Sequence, residues 1–197
     1  MDLGGWIVLA LLAVLLVWAV AVYNGLVQRR NRIRNAFAQI DVQLKRRYDL
    51  VPNLVEVARK YLSHEASTLE AVTRARGEAV SAAAAARARP GAAGPMQELA
   101  QADQLLNGQL GRLLVVAEAY PDLKADETMR SLSEELVSTE NRIGFARQAY
   151  NDEVLGYNDA VLQFPGSLVA RVGGFDEAAM LQSTQNEQER QAPRVAF

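Results

Sequence analysis

A long apolar stretch near the N-terminus constrains this chain more than any other feature of its sequence. It runs from Gly4 to Val22, reads GGWIVLALLAVLLVWAVAV and holds no charged side chain. About 20 such residues, at about 1.5 Å per residue in a helix, cross a hydrocarbon core of roughly 30 Å. Trp6 and Tyr23 lie at its two ends, where interfacial aromatic residues are favoured. The sequence therefore predicts a transmembrane helix over residues 4–23.

A cleaved secretory signal is the alternative interpretation of the same stretch. Ala19-Val20-Ala21 resembles a cleavage site. A signal peptide, however, has a positive N-terminal region and an apolar segment of only about 7 to 15 residues. Here the preceding residues are Met1-Asp2-Leu3, without Lys or Arg. Both mismatches favour an uncleaved anchor.

The flanking charges predict how the anchor is oriented. Arg29, Arg30, Arg32 and Arg34 follow the apolar stretch, and no acidic residue lies between Asp2 and Asp41. Positive residues close to a span are retained on the cytoplasmic side. We therefore expect a single-pass protein with residues 1–3 outside and the C-terminal domain in the cytoplasm. The four arginines could also bind anionic lipid, or simply cover a helix surface.

Composition excludes several classes of protein. Half of the 197 residues are hydrophobic but only 7% are aromatic, a balance that favours helices over large sheet faces. Lys and Arg number 21 against 23 acidic residues, whereas nucleic-acid binding needs a strongly basic face. With no cysteine, the chain can form neither a disulfide nor a zinc–thiolate site.

After the anchor, apolar residues recur every three or four positions in four blocks, a pattern typical of amphipathic helices. The first block begins at Leu26, and we expect Pro52 to end or kink it. The second begins at Leu54, and a loop over residues 88–95 separates it from the third. The sequence thus predicts an all-α fold: a transmembrane helix, then an elongated antiparallel bundle of about four helices over residues 24–175. Residues 176–197 are predicted to form a disordered polar tail.

Two segments carry more polar groups than a simple bundle needs. We group them as a predicted structural polar seam: Asp41, Arg46, Arg47, Asp49, Asn53, Glu56, Glu140, Asn141, Arg142 and Arg147. Arg47 lies one step from the apolar stripe, so its guanidinium should enter a helix interface and need a carboxylate there. Glu140 is the expected partner. The alternative is that all of these residues form ordinary surface ion pairs.

No group of residues predicts a catalytic, cofactor or metal site. His64 is the only histidine, and the HExxH, GxSxG and phosphate-loop patterns do not occur. Tyr150-Asn151 and Tyr157-Asn158 repeat seven residues apart and therefore share one helical face. Tyrosines at such positions most often bury the ring and satisfy the hydroxyl group.

The segment after the last helical block is apolar and glycine-rich, and it is a possible interaction loop. Its candidate contact residues are Phe164, Leu168 and Phe175. It could pack back on the bundle, or it could contact another subunit, a partner or the membrane surface. Phe164, beside Pro165, better suits packing on its own bundle, and Phe175, after two glycines, better suits an external contact.

These segments resemble the LemA family over nearly the whole chain. The N-terminal resemblance lies in Tyr23-Asn24, in QIDVQLKRRYDLVPNLVE over residues 39–56, and in His64-Glu65. The C-terminal resemblance lies in Glu140-Asn141-Arg142, Ala146-Arg147, the two Tyr-Asn pairs and Phe164-Pro165. Val172-Gly173-Gly174-Phe175 departs from the family, which usually has a bulky aromatic residue near this point.

The resemblance implies a bacterial inner-membrane protein with a cytoplasmic helical bundle and no established activity. A relative takes part in organising magnetosome membranes, and members often occur beside membrane metalloproteases. We expect a non-enzymatic, membrane-anchored helical scaffold that forms homo-oligomers through its long helices or its apolar C-terminal loop, contacts membrane lipid and organises or remodels the inner membrane. The alternative is an adaptor for another membrane protein, such as a membrane metalloprotease or an envelope-stress component.

Overall fold

The longest helix of the protein begins in the apolar stretch and continues into the bundle. In the computed structural model, which describes residues 2–181, this helix, α1, runs from Leu3 to Arg59 without a break. Its 57 residues correspond to about 85 Å at about 1.5 Å per residue. Within the described residues, no side chain in the most apolar part of α1 is buried, and the buried residues of this helix begin at Leu26. One helix therefore joins the predicted membrane span to the bundle.

Five further helices follow. They are α2 (Ala66–Ala88), α3 (Ala93–Glu118), α4 (Pro121–Ala125), α5 (Glu127–Leu162) and α6 (Gly166–Val172). The described residues contain no strand, so the predicted all-α fold is confirmed for this part of the chain. α5 runs antiparallel to α1. Tyr61, just after the end of α1, donates to Asp126, just before the start of α5, whereas Arg29 in the first half of α1 donates to Gly156 near the end of α5. α2 and α3 form a hairpin beside this pair.

The core follows from the spacing of apolar residues on each helix. Phe37 of α1 and Tyr150 of α5 meet edge to face, with ring centroids 6.0 Å apart. α2 contributes small side chains instead, and its buried alanines include Ala75, Ala79 and Ala83. Small residues let helix backbones approach closely, so α2 packs between its neighbours without aromatic residues.

Of the two outcomes expected at Pro52, an end or a kink of the first helix, the structure contradicts the first. α1 continues past Pro52 to Arg59, and α2 begins at Ala66 rather than near Leu54. A helical proline has no N–H to donate to the carbonyl four residues earlier, here that of Tyr48. Arg76 of α2 supplies the missing donor, since its Nε lies 2.6 Å from that carbonyl oxygen. The helix is therefore maintained by a tertiary hydrogen bond.

The predicted loop and the predicted tail also have different boundaries in the structure. The expected loop over residues 88–95 shortens to a turn at residues 89–92, where Gly91 has a φ of 86°, and α3 begins at Ala93. Residues 176–181, assigned to the disordered tail by the sequence, form no regular secondary structure and lie against α5 and the Gly91 turn. The remaining part of the predicted tail, residues 182–197, lies outside the described residues.

Candidate functional site

Arg47 is the centre of a buried ionic cluster that joins three helices. Its side chain on α1 is 3% exposed. Nη1 lies 2.9 Å from Asp103 Oδ1 on α3 and 3.0 Å from Glu140 Oε2 on α5, while Nη2 donates to the Oδ1 atom of Asn107. Arg147 lies at the edge of the cluster, 3.9 Å from the other Glu140 oxygen. The expected burial of Arg47 and its pairing with Glu140 are both present in the structure.

The charges of this cluster balance, with two guanidinium groups and two carboxylates. Burial raises the pKa of the Asp103 carboxyl group; Arg47 opposes that shift, and Glu140 adds to it. A cavity of about 10 Å³ lies beside Asp103 and Arg147. Such a volume holds about one water molecule and no substrate. The arrangement therefore fixes the relative positions of the three helices.

Five residues of the predicted seam lie apart from the cluster. Asp49, Asn53, Glu56, Asn141 and Arg142 are exposed on the outer faces of α1 and α5. At about 100° per residue, the three on α1 lie roughly 180–240° around the helix from Arg47. The prediction placed them in one seam because they are close in sequence, whereas helical geometry turns them towards solvent.

Two other predicted seam residues form ion pairs nearer the surface. Asp41 accepts two hydrogen bonds from Arg87 of α2, at 2.8 and 2.7 Å. Arg46 donates to Glu135 of α5 from its Nε, at 3.1 Å, with half of the Arg46 side chain exposed. Exposed pairs of this kind stabilise a fold by no more than about 1 kcal/mol. They tie α1 to its neighbours on two sides of the buried cluster.

The repeated Tyr-Asn pairs of α5 hold residues 175–181, which we call the C-terminal strap. Asn158 donates to the carbonyl of Ala178 and accepts from its N–H, at 2.9 and 2.8 Å. Asn151 pairs in the same way with Leu181, at 3.2 and 2.9 Å. An asparagine amide bonded in this way satisfies one backbone N–H and one backbone C=O group of a segment that has no helical or strand partners.

Tyrosine hydroxyl groups complete this arrangement. Tyr150 donates to the carbonyl of Ala179 at 2.8 Å, and Tyr157 donates to that of Asp176 at 2.9 Å. Burial raises the pKa of Tyr150, which keeps its hydroxyl protonated as a donor. The expectation that these rings are buried and their hydroxyl groups satisfied is met in the structure. The role of the asparagines was missed, although the seven-residue repeat was a signal for one shared partner.

The arginines after the anchor differ in their surroundings. Arg29 donates to the carbonyl of Gly156 at 3.1 Å, and the Arg30 guanidinium lies 5.0 Å from the centre of the Phe175 ring. Arg32 and Arg34 are exposed on the same helix. Arg29 and Arg30 therefore link α1 to the rest of the bundle just after the predicted span. All four arginines place positive charge at this end of the bundle.

The structure reverses the expectation for the two phenylalanines of the predicted interaction loop. Phe175 is buried: its ring meets Tyr23 edge to face at 5.2 Å. Phe164 is 81% exposed, and Leu168 is also exposed. Gly174 has a φ of 66°, and this left-handed turn folds the chain back so that Phe175 reaches α1. Phe164, which precedes α6, leaves most of its ring outside the bundle formed by the described residues.

The described residues contain no group of three His, Cys, Asp or Glu side chains placed to hold a metal ion. His64 is exposed in the turn between α1 and α2. What this part of the chain defines is a membrane-associated helical bundle, continuous with one apolar helix.

The comparisons with known proteins agree with that class. A sequence model of the LemA family matches residues 36–197. The chain therefore belongs to the LemA family, as its motifs indicated.

Curated relatives include a protein named magnetosome protein MamQ from Magnetospirillum gryphiswaldense. It is 26% identical over 168 residues, which cover 78% of this chain and 62% of that protein. Magnetosome protein MamQ 2 and magnetosome protein MamQ 1 of Paramagnetospirillum magneticum are each 27% identical over 175 residues, covering 81% of this chain and 64% of each relative. The aligned part of this chain thus spans under two thirds of the length of these relatives.

Proposed function

We propose that this protein is a non-enzymatic, membrane-anchored helical scaffold of the bacterial inner membrane, which self-associates and organises the bilayer around it. The observation that carries the proposal is the continuity of α1 from Leu3 to Arg59. A bundle built on the same helix as its anchor has no flexible linker, so its orientation relative to the bilayer is fixed. A rigid rod of this kind suits a part of an ordered assembly better than it suits a tethered enzyme.

Support for self-association comes from the outer face of α5. Val137, Phe145 and Leu155 are 60%, 74% and 51% exposed, and they lie along a helix whose other side fills the core. Single exposed apolar residues are ordinary on a protein surface. Here three of them extend along about half of the length of one helix, and copies anchored in the same membrane would present these faces to one another at matching heights.

Support for a non-enzymatic role comes from the buried cluster and from the relatives. Arg47 and Asp103 are buried and paired with each other, and Arg47 also pairs with the half-exposed Glu140. The relatives are named as magnetosome proteins. A structural role at a membrane is the function that these observations have in common.

The molecular mass of the full-length protein after gentle extraction tests the proposal. We expect a species of several subunits for the wild type, and a smaller species when Val137, Phe145 and Leu155 are all changed to serine. Val115→Ser on α3 is the matched control, since Val115 is 68% exposed but lies on another helix. Circular dichroism of each variant should show unchanged helix content. A wild-type monomer that copurifies with another membrane protein would refute the scaffold and support the adaptor.

A further inference from the structure

The short helix α6 packs against the end of the membrane span. A groove of about 580 Å³ lies between the two helices, and its walls are apolar. Ala19, Val20 and Tyr23 of α1 form one wall, and Leu168, Val169 and Val172 of α6 form the other. A Cβ atom at Gly166, the first residue of α6, would lie 3.7 Å from Val22 Cγ1. α6 therefore touches residues of the predicted span itself.

The outward-facing side chains of α6, together with Phe164 just before this helix, form a strongly apolar surface. Phe164 is 81% exposed and Val172 is 91% exposed, with Leu168 exposed between them. The three side chains follow one another at intervals of four residues. Ala170 is buried and faces the bundle. α6 thus packs on the bundle through Ala170, and its larger side chains Leu168 and Val172 are exposed.

The geometry of α1 determines the depth in the bilayer at which this apolar surface lies. Tyr23 closes the apolar stretch, and Arg29 follows six residues later, about 9 Å further along the helix. The headgroup region on each side of a bilayer is about 5 to 8 Å thick. Because α6 contacts residues 19–23 of the same unbroken helix, it lies where hydrocarbon gives way to headgroups.

We propose that α6 is an interfacial membrane helix, with Phe164, Leu168 and Val172 among the acyl chains of the adjacent leaflet and a lipid acyl chain in the groove. One wall of the groove belongs to the span, so a water-soluble partner cannot cover it without entering the bilayer. Arg171 on α6 and Arg30 on α1 supply positive charge at this level, where lipid phosphates lie. The proposal rests on the anchor spanning a membrane, and it holds whether or not the bundle self-associates.

Fluorescence quenching of single-cysteine variants tests this placement, because the chain has no native cysteine. Leu168→Cys and Val172→Cys in the full-length protein are labelled with an environment-sensitive dye and reconstituted in phosphatidylcholine–phosphatidylglycerol liposomes. Val115→Cys, exposed at the end of α3 that leads to α4, is the matched water-facing control. We expect doxyl-labelled lipid to quench the two α6 positions severalfold more than Val115, and aqueous iodide to quench them severalfold less.

Varying the protein-to-lipid ratio distinguishes coverage of α6 by lipid from coverage of α6 by a second copy of the chain. If lipid covers α6, protection from iodide is independent of the protein-to-lipid ratio. Protection that disappears on dilution would assign the surface to protein contact and overturn the proposal. Equal iodide quenching at all three positions would overturn it as well. The mass of the assembly is measured separately, so failure here is distinguishable from failure of the scaffold proposal.

Discussion

The guanidinium group of Arg47 contacts side chains on two other helices, and its burial excludes the water that could replace them. Removing one partner of a buried ion pair leaves the remaining charges unpaired, which is expected to cost about 3 to 5 kcal/mol. We therefore expect Arg47→Ala to lower the free energy of unfolding by that amount. Denaturant unfolding of the full-length protein in detergent measures the change.

Arg46, the neighbouring residue, is the matched control for this prediction. Its pair with Glu135 is exposed, so Arg46→Ala should cost no more than about 1 kcal/mol. Equal losses for the two variants would show that the Arg47 cluster is no more important than a surface pair.

At the scale of single residues, helical spacing determined what could be predicted. Arg47 lies beside the apolar stripe of its helix, and this position correctly indicated a buried guanidinium. Asp103 occupies a stripe position between Leu99 and Leu106, so the same reasoning could have identified it. The reversal of Phe164 and Phe175 could not have been foreseen, because it depends on the turn at Gly174 and on a tertiary contact with Tyr23.

At the scale of elements, the hydrogen bond from Arg76 to the Tyr48 carbonyl explains how α1 passes Pro52. Arg76→Ala leaves that carbonyl without its donor, and we expect it to lower the free energy of unfolding by about 1 to 3 kcal/mol. Pro52→Ala restores a backbone N–H at the right place in the helix. The Arg76→Ala change should therefore cost distinctly less in a Pro52→Ala background. A double-mutant cycle measures this coupling, and additive effects would contradict the proposed compensation.

The C-terminal strap gives a second prediction at this scale. Asn158→Ala removes both hydrogen bonds to Ala178, so the amides of the strap should exchange their hydrogens faster, while those of the α1–α5 core remain protected. Native-state hydrogen exchange measures the effect. Asn141→Ala is the control, since Asn141 is exposed on the same helix. Unchanged exchange at Ala178 and Leu181 in Asn158→Ala would mean that other contacts hold the strap.

Helices with strong periodicity were predictable, but the elements that depend on tertiary contacts were not. The sequence pattern correctly placed most of α3 and α5, because their apolar stripes are long and regular. It ended the first helix too early, because the compensating donor lies on α2, more than twenty residues away in sequence. It also assigned the strap to a tail, because a segment held by side-chain amides has no periodicity of its own.

At the scale of the whole molecule, one helix connects the membrane to the far end of the bundle. The distance along α1 from Tyr23 to Arg59 is about 54 Å at about 1.5 Å per residue. Phe175 at the start of the strap, α6, Arg29 and Arg30 all contact the bundle or α1 near the membrane end of this rod. These contacts brace α1 at the point where it leaves the predicted span. They therefore support a bundle that is held at a fixed angle to the bilayer.

The orientation of that rod across the membrane is the last prediction. Positive charge follows the span and none precedes it, so a reporter fused after Phe197 should be active in the cytoplasm and inactive as a periplasmic alkaline phosphatase. Asp2→Lys combined with Arg32→Gln and Arg34→Gln weakens this asymmetry and leaves the bonded Arg29 and Arg30 in place. A fraction of that variant should therefore invert and gain phosphatase activity. Phosphatase activity of the wild-type fusion with an intact N-terminus would contradict the cytoplasmic orientation, and a mature N-terminus directly after Ala21 would establish a cleaved signal instead.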